Sequence, residues 1–476
     1  MTAKYILLNF STAGLLSEPA YYLLCGILAA AVLLGLHMMS KVKKAHIGNK
    51  ISALAISLGI IITLIKKDIV PAWIIYPAMA TGLIIGLILA KRVKMIEMPE
   101  LVALLNGIGG TASAIVAAFA FITLYNGNDL FGKTTSSLAV AIGTVTLSGS
   151  LIAAGKLHKL LNQKPVILPL HQISTMTLVL ILTVLIIMGG FFSLLSSAVV
   201  LIAIIIIASL FGLIFSIRVG GADMPITISF LNSMSGVAAA VAGFAVNDIL
   251  LVSVGGIVGA SGLFLTQIMC RAMNRKLSDI LLGKTSLQDK KTAINKESES
   301  DEQEEENDSS DPVTIIKSAK NVIIVPGYGM ALAQAQHLVK QLAKKLSDNG
   351  ASVKYAIHPV AGRMPGHMDV LLIEAGVPFN YVYEMDDIND DFKDSDLTIV
   401  IGANDVLNPA ARNAEGTPIY GMPILNVDQC KNILIFKYDL KPGYSGVDNP
   451  IYNKKQGVWV IQGNAADTLT EILNNL

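Results

Sequence analysis

The chain has 476 residues, 53% of them hydrophobic and only 15% charged, with a formal net charge of +1 and a mean hydropathy of +0.59. That length exceeds an ordinary single domain, and that composition excludes a purely soluble globular protein. A net charge so near zero offers no electrostatic footprint for a nucleic acid. Cys25, Cys270 and Cys430 are scattered without ligand spacing, which predicts small buried side chains and no metal site.

Apolar runs of bilayer-spanning length recur through the first half: Tyr21–Met39, Ile51–Ile65, Ile69–Ala90, Leu101–Leu124, Ser136–Ala154, Ile173–Gly190, Leu194–Ile217, Ile226–Val246 and Ile249–Cys270. These nine predict a multi-span α-helical bundle, the second span being the shortest. The N-terminus lacks a basic region followed by a cleavage signature, so the first span reads as a retained helix. One set of alternate connections carries most of the lysine and arginine, among them Lys43, Lys44, Lys91, Arg92, Lys156, Arg218, Arg271 and Lys276. The other set holds only Lys66, Lys67 and Lys133. The basic set is expected in the cytoplasm, with the C-terminal region on the same side.

Two of those basic connections enter their helices with the same words. Glu97-Met98-Pro99 leads to Leu105-Asn106 and Gly110, and Asp223-Met224-Pro225 leads to Leu231-Asn232 and Gly236. Pro to Asn is seven residues and Pro to Gly eleven in both, and the copies lie 126 residues apart. Both point the same way, a parallel repeat. Asn106 and Asn232 fall about two helical turns inside, deep enough that an amide without a partner would be costly. They read as a polar path through a small-residue bundle entered past Asp223, or as hydrogen-bond glue between helices. No Asp, Glu, Lys or His lies near the middle of any span. Any proton carrier there has to come from another chain.

From Ser286 to Pro312 the chain is first basic, then densely acidic, without apolar periodicity, and reads as a disordered tether. The expected domains are therefore 1–276 in the membrane, 277–312 as linker and 313–476 as a soluble domain. That domain opens with Asn321–Gln336, where a β-branched run meets Gly327-Tyr328-Gly329 and then a helix-forming stretch. Strand, glycine turn and helix is the order that presents backbone N–H groups to a phosphate. Leu332 stands where a third glycine would complete the fingerprint. Strands are expected at Val353–Ile357, Tyr381–Met385, Leu397–Ile401, Ile424–Val427, Asn432–Phe436 and Val458–Ile461, with helices at Met330–Leu346, Met368–Ala375 and Asp467–Leu476. The alternation predicts a Rossmann-like α/β domain, a doubly wound parallel sheet with ligand contacts at the carboxyl ends of its strands. His358–Gly366, Gly402–Asp405 and Lys437 with Gly443-Tyr444 sit at those ends. The second strand ends in His358, with no acid for a ribose 2′-OH, while Lys437 and Arg363 could meet a 2′-phosphate. No nucleophile–base pair or metal constellation is present, as expected where a cofactor carries the chemistry.

In EMPELVALLNG, GGADMPITISFLNSMSG, PGYGMALAQAQ, HPVAGRMPGHMDVLL, EMDDINDDF, IGANDVLNPAA and GYSGVDNP the chain closely resembles the β subunit of proton-translocating nicotinamide nucleotide transhydrogenases. The resemblance implies hydride transfer between NAD(H) on a partner α subunit and NADP(H) on this chain, coupled to proton flow across a bacterial inner membrane in an α2β2 assembly. It places the nucleotide on Gly327, Tyr328 and Gly329, on Val360, Ala361, Gly362, Arg363, Met364 and Pro365, and on Gly402, Ala403, Asn404, Asp405 and Val406. Gly421 and Met422, the lid from Lys437 and Tyr438 to Gly443 and Tyr444, and Asn464-Ala465 complete the implied site. Asp405 matches an acid that couples nucleotide binding to protonation, and Asn232 a polar residue of the proton path. The chain departs from the family pattern at Asn106 (where many members have histidine), at Tyr438 beside Lys437 (where the pair is Lys-Arg) and at Asn464 (where the usual residue is aspartate). Losing that arginine would weaken NADP preference by ~1–3 kcal/mol. The competing readings are an ion channel or secondary transporter with a nucleotide-sensing tail, against which no selectivity-filter signature or midplane ion pair is found, and a dehydrogenase merely anchored in the membrane.

Overall fold

A computed structural model describes residues 16–40, 42–67, 74–93, 97–125, 127, 129–158, 160–162, 166, 170–191, 196–220, 223–273, 276–281, 312–362, 366–415, 417, 419–443, 445–454 and 456–476. The chain divides into two compact units. One comprises Met1–Ala154, Leu170–Ile214 and Phe230–Leu263, and the other Gly155–Pro169, Phe215–Ser229 and Phe264–Leu476. Most of the expected tether lies outside the described residues, between the short helices Leu277–Leu281 and Pro312–Ser318.

Nine helices among the described residues are long and apolar enough to cross a membrane. They are α1 (Glu18–Met39), α2 (Val42–Lys66), α3 (Ile75–Arg92), α4 (Met98–Leu124), α5 (Leu130–Leu157), α6 (His171–Phe191), α7 (Ser197–Ile217), α8 (Met224–Ala245) and α9 (Ile249–Ala272). The second span, expected to be short, is a 25-residue helix, because the polar stretch from Val42 to Lys50 continues the same helix ahead of the apolar run.

The repeated glycine of each parallel copy is where two successive helices touch backbone to backbone. A Cβ on Gly110 would lie 2.8 Å from the Gly143 carbonyl of α5, and one on Gly236 would lie 2.5 Å from the Gly259 amide of α9. Small residues permit this approach, and dispersion across the seam holds the pair together. The duplication also extends to the far ends of these helices. Asp129 accepts a hydrogen bond from the Gly132 amide (2.9 Å) and Asp248 one from the Leu251 amide (2.9 Å), so both copies start their second helix on an aspartate cap. Gly236→Leu is expected to eliminate folded, monodisperse protein after detergent extraction. Gly256→Leu, one face away on α9 with no atom within 4 Å of its Cβ, leaves the yield unchanged. Equal yields of the two variants would show that the seam does not hold the bundle together.

The soluble sheet is six-stranded and parallel, in the order β3-β2-β1-β4-β5-β6. Its strands are β1 (Asn321–Pro326), β2 (Ser352–Ile357), β3 (Val382–Glu384), β4 (Leu397–Ile401), β5 (Ile433–Lys437) and β6 (Val458–Gln462). Both faces of the central strands are covered: Val322–Val325, Leu397–Ile401 and Ile433–Phe436 are buried without alternation, the pattern of a parallel sheet sandwiched by helices. The order reverses between β1 and β4, which opens a crevice at their carboxyl ends.

Two expected elements differ. The helix after β1 is broken into α10 (Tyr328–Leu332) and α11 (Gln336–Asp348) at Gln334, whose φ is +52°. Ile424–Val427 is not a strand. It runs beside the loop that follows β4, pinned by bonds from Asn389 Nδ2 to the Ile424 carbonyl (3.0 Å), from the Asn426 amide to Asn389 Oδ1 (3.0 Å) and from the Leu425 amide to the Val406 carbonyl (2.9 Å). Its apolar side chains pack into the core without a ladder, so composition alone mimicked a strand.

Candidate functional site at the strand switch point

β1 and β4 are each followed directly by a glycine, Gly327 and Gly402, and the two loops meet there. The Gly327 amide donates to the Ile401 carbonyl and the Gly329 amide to the Gly402 carbonyl, both at 2.9 Å. A Cβ on Gly327 would sit 2.5 Å from the Ala403 amide, and one on Gly402, whose φ is +67°, would sit 2.3 Å from Gly329 Cα. The glycines therefore let two loops interlock, and the amides of Gly327 and Gly329 are already bonded within the protein. This differs from the free amides that their spacing implies.

The loop after β4 carries the most heavily bonded side chains of the cleft. Asp405 accepts from the Ser445 amide (3.0 Å) and the Ser445 hydroxyl (2.7 Å), while Gly443 packs against the same carboxylate so closely that a Cβ would lie 2.4 Å from Oδ1. Asn404 accepts from the Tyr452 hydroxyl (2.9 Å) and from Asn449 Nδ2 (3.2 Å), and donates to the Lys441 carbonyl (3.3 Å). Lys437, last in β5, donates to that same carbonyl (3.0 Å) and lies 4.4 Å from the centroid of the Tyr452 ring. Burial pulls its ammonium below the usual lysine range, opposed by Asp439 and Asp405.

A histidine organises the opposite wall. His358, at the end of β2, is 2% exposed; its Nδ1 accepts from the Val360 amide (3.2 Å), which leaves Nε2 to donate to the Pro423 carbonyl (2.8 Å). Burial lowers its pKa to about 4, so the ring is neutral at physiological pH. It thereby ties the loop Val360–Gly362 to the segment that bears Met422. Gly421 turns that segment at φ +75° and donates to the Ala411 carbonyl (2.7 Å).

Of the residues singled out in the sequence, Gly327, Tyr328, Val360, Ala361, Gly362, Gly402, Ala403, Asn404, Asp405, Val406, Met422, Lys437 and Gly443 line one cleft. Gly329 packs directly behind it. Tyr438 is 79% exposed and lies outside the lining. Asn464 caps the final helix α12 (Ala465–Asn475), accepting from the Ala466 amide at 2.9 Å, and Ala465 is that helix's first residue. Arg363, Met364, Pro365 and Tyr444 lie outside the described residues. In the membrane unit Asn106 is buried within α4, and Asn232 is half-buried within α8 with its carbonyl accepting from the Ser235 hydroxyl (2.7 Å). Asp223 is buried at the start of α8, its carbonyl accepting from the Thr227 amide (3.2 Å). Sequence reasoning missed Ile419, Asp439, Lys441, Pro442 and Ser445, which also line the cleft, and gave His358 no role beyond its place at the strand end. Among the described residues no cluster of metal-ligating side chains is found.

A glycine-interlocked crevice at the switch point of a 3-2-1-4-5-6 sheet, lined by lysines, defines a dinucleotide-binding domain. It is joined in one chain to the nine membrane-length helices found among the described residues. The chain belongs to the NAD(P) transhydrogenase beta subunit family, whose model matches residues 21–475. It is 40% identical over 445 residues to the NAD(P) transhydrogenase subunit beta of Rhodospirillum rubrum, covering 91% of this chain and 93% of that one. The protein of the same name from a particular strain of that species matches to the same extent. The chain is thus the beta subunit of an oxidoreductase that handles nicotinamide nucleotides, and a beta subunit implies an alpha partner.

Proposed function

We propose that this chain binds NADP(H) in the switch-point cleft and exchanges hydride with NAD(H) held by its alpha partner, with the exchange coupled to proton movement through its helical domain. The observation that carries the reading is the cleft itself. A buried neutral histidine stands at the end of β2 where an NAD site has an acid, and lysines line the far wall. Bound nucleotide supplies the hydride chemistry. The protein's own residues position it: Val360–Gly362 and Met422 form one wall, Asn404 and Asp405 the floor, and Lys437 stands ready for a 2′-phosphate. Asp405 fastens Ser445 and packs against Gly443, so these two residues can respond to what occupies the cleft.

In the helical part, Asn106 and Asn232 would hold water along a path entered past Asp223, and a proton-carrying side chain would come from a helix of the alpha subunit. The family resemblance and the basic connections support an α2β2 assembly in a bacterial inner membrane, with residues 313–476 in the cytoplasm and 277–312 as tether. The decisive experiment uses inverted membrane vesicles bearing both subunits, with NADPH and an NAD⁺ analogue supplied outside. Hydride transfer accompanied by a change in lumenal pH is expected, and both are lost without the alpha subunit. Ion flux indifferent to nucleotide would instead favour a channel with a sensing tail. Hydride transfer with unchanged coupling in Asn232→Leu would reduce the helices to an anchor.

A further inference from the structure

We propose that Lys441, and not Tyr438, supplies the second cation that meets the 2′-phosphate of the nucleotide. The assignment rests on the NADP(H) reading above. Tyr438 follows Lys437 directly, but neighbours on an extended chain face opposite ways, and Tyr438 is 79% exposed and outside the cleft. The turn that follows reverses the chain so that Lys441 returns to the wall formed by Lys437. The backbone of Lys441 is fixed in place by three hydrogen bonds. Its carbonyl accepts from Lys437 Nζ (3.0 Å) and from Asn404 Nδ2 (3.3 Å), and its amide donates to Asp439 Oδ1 (3.3 Å). All three partners, Lys437, Asn404 and Asp439, are themselves cleft residues. Lys441, an exposed residue, is thus held next to Lys437 by a turn the site itself fastens.

Asp439 also lines this wall, and the Lys441 amide bonded to its carboxylate partly offsets its charge. Lys437 and Lys441 are the two lysines among the described residues of the lining, set against the carboxylates Asp439 and Asp405, so a dianionic phosphate would lose half of its cationic partners without Lys441. The ordinary alternative is a solvated lysine on a surface turn, which would not distinguish a phosphorylated ribose from a free one.

The test uses the full-length chain in detergent and two probes, adenosine 2′,5′-bisphosphate and 5′-AMP, followed by calorimetry. The wild type is expected to prefer the bisphosphate. Lys441→Gln should weaken the bisphosphate by about tenfold or more and leave 5′-AMP unchanged, whereas Lys441→Arg keeps the preference and Tyr438→Phe alters neither. A Lys441→Gln chain that binds the bisphosphate as well as wild type overturns the assignment, and so does one that loses both probes equally. A wild type without any preference for the bisphosphate sinks the NADP(H) reading itself, a result distinct from either.

Discussion

Replacing Gly402 by alanine is expected to abolish nucleotide binding and to unfold the strand switch point. Two penalties combine there. The backbone sits at φ +67°, where a side chain costs roughly 1–2 kcal/mol. The added methyl would also stand 2.3 Å from Gly329 Cα and 2.6 Å from its nitrogen, and neither atom can yield without moving β1 relative to β4. The total should exceed ~3 kcal/mol. Gly446→Ala isolates the first penalty, because its φ is +70° but nothing lies within 4 Å of the new methyl. Thermal melts of the two variants should therefore differ widely, and only Gly402→Ala should lose calorimetric binding of NADPH. Equal melts would mean that the loops separate freely and that the interlock is not structural.

His358→Gln should remove most of an acid sensitivity that the wild-type sheet carries. The folded histidine titrates near 4, below the 6.5 of an exposed ring, so the unfolded chain takes up its proton first on acidification. Stability from this group is complete above pH ~6.5 and is lost as the pH falls toward 4, by about 3 kcal/mol. Protonation would put a hydrogen on Nδ1, where the Val360 amide now donates. Asp369 works the other way, since burial raises its carboxyl and the cost of charging it relaxes in acid. The informative quantity is thus the difference between wild type and His358→Gln at each pH. Hydrogen exchange of the β1 and β4 amides in the full chain supplies it. A difference that stays flat between pH 7 and 4.5 would show that the ring carries its proton in the folded protein as easily as in the unfolded one.

What the sequence made legible follows from how local each signal is. The nine spans and the strand–helix alternation are written in apolar runs, and a run reads the same whatever surrounds it. The glycine turn was legible as a site, but its spacing could not reveal that Gly327 and Gly329 bond to the loop after β4, some seventy residues away. Ile424–Val427 has the composition of a strand, but its backbone bonds go to the Asn389 side chain and to the Val406 carbonyl. Gln334 sits in a good helix former's run and breaks it through a left-handed backbone that no propensity anticipates. Asn464, expected at the nucleotide, also caps the last helix, a role that asparagine and aspartate share and that its sequence neighbours alone did not single out. Ser445 and Lys441 were missed because their roles depend on a turn bringing them back over Asp405 and Asn404. A signal for Ser445 was present, a hydroxyl two residues beyond Gly443. The Asn-Asp pair before Leu130 and before Ile249 was the overlooked sign that the duplication runs the full height of the bundle.

The common orientation of the two copies sets the kind of machine the helices can form. A transporter built from inverted halves has a rotation that exchanges its two faces, so its two end states can be equal in energy by construction. Copies running the same way have no such operation. One mouth is framed by the acid-Met-Pro entrances and the other by the aspartate caps of α5 and α9. The two faces are chemically different surfaces, and nothing in the bundle's architecture makes inward- and outward-opening states degenerate. In the proposed cycle the bias between them is reset by a free-energy source outside the bundle, and within this chain nucleotide occupancy of the sheet's cleft is such a source.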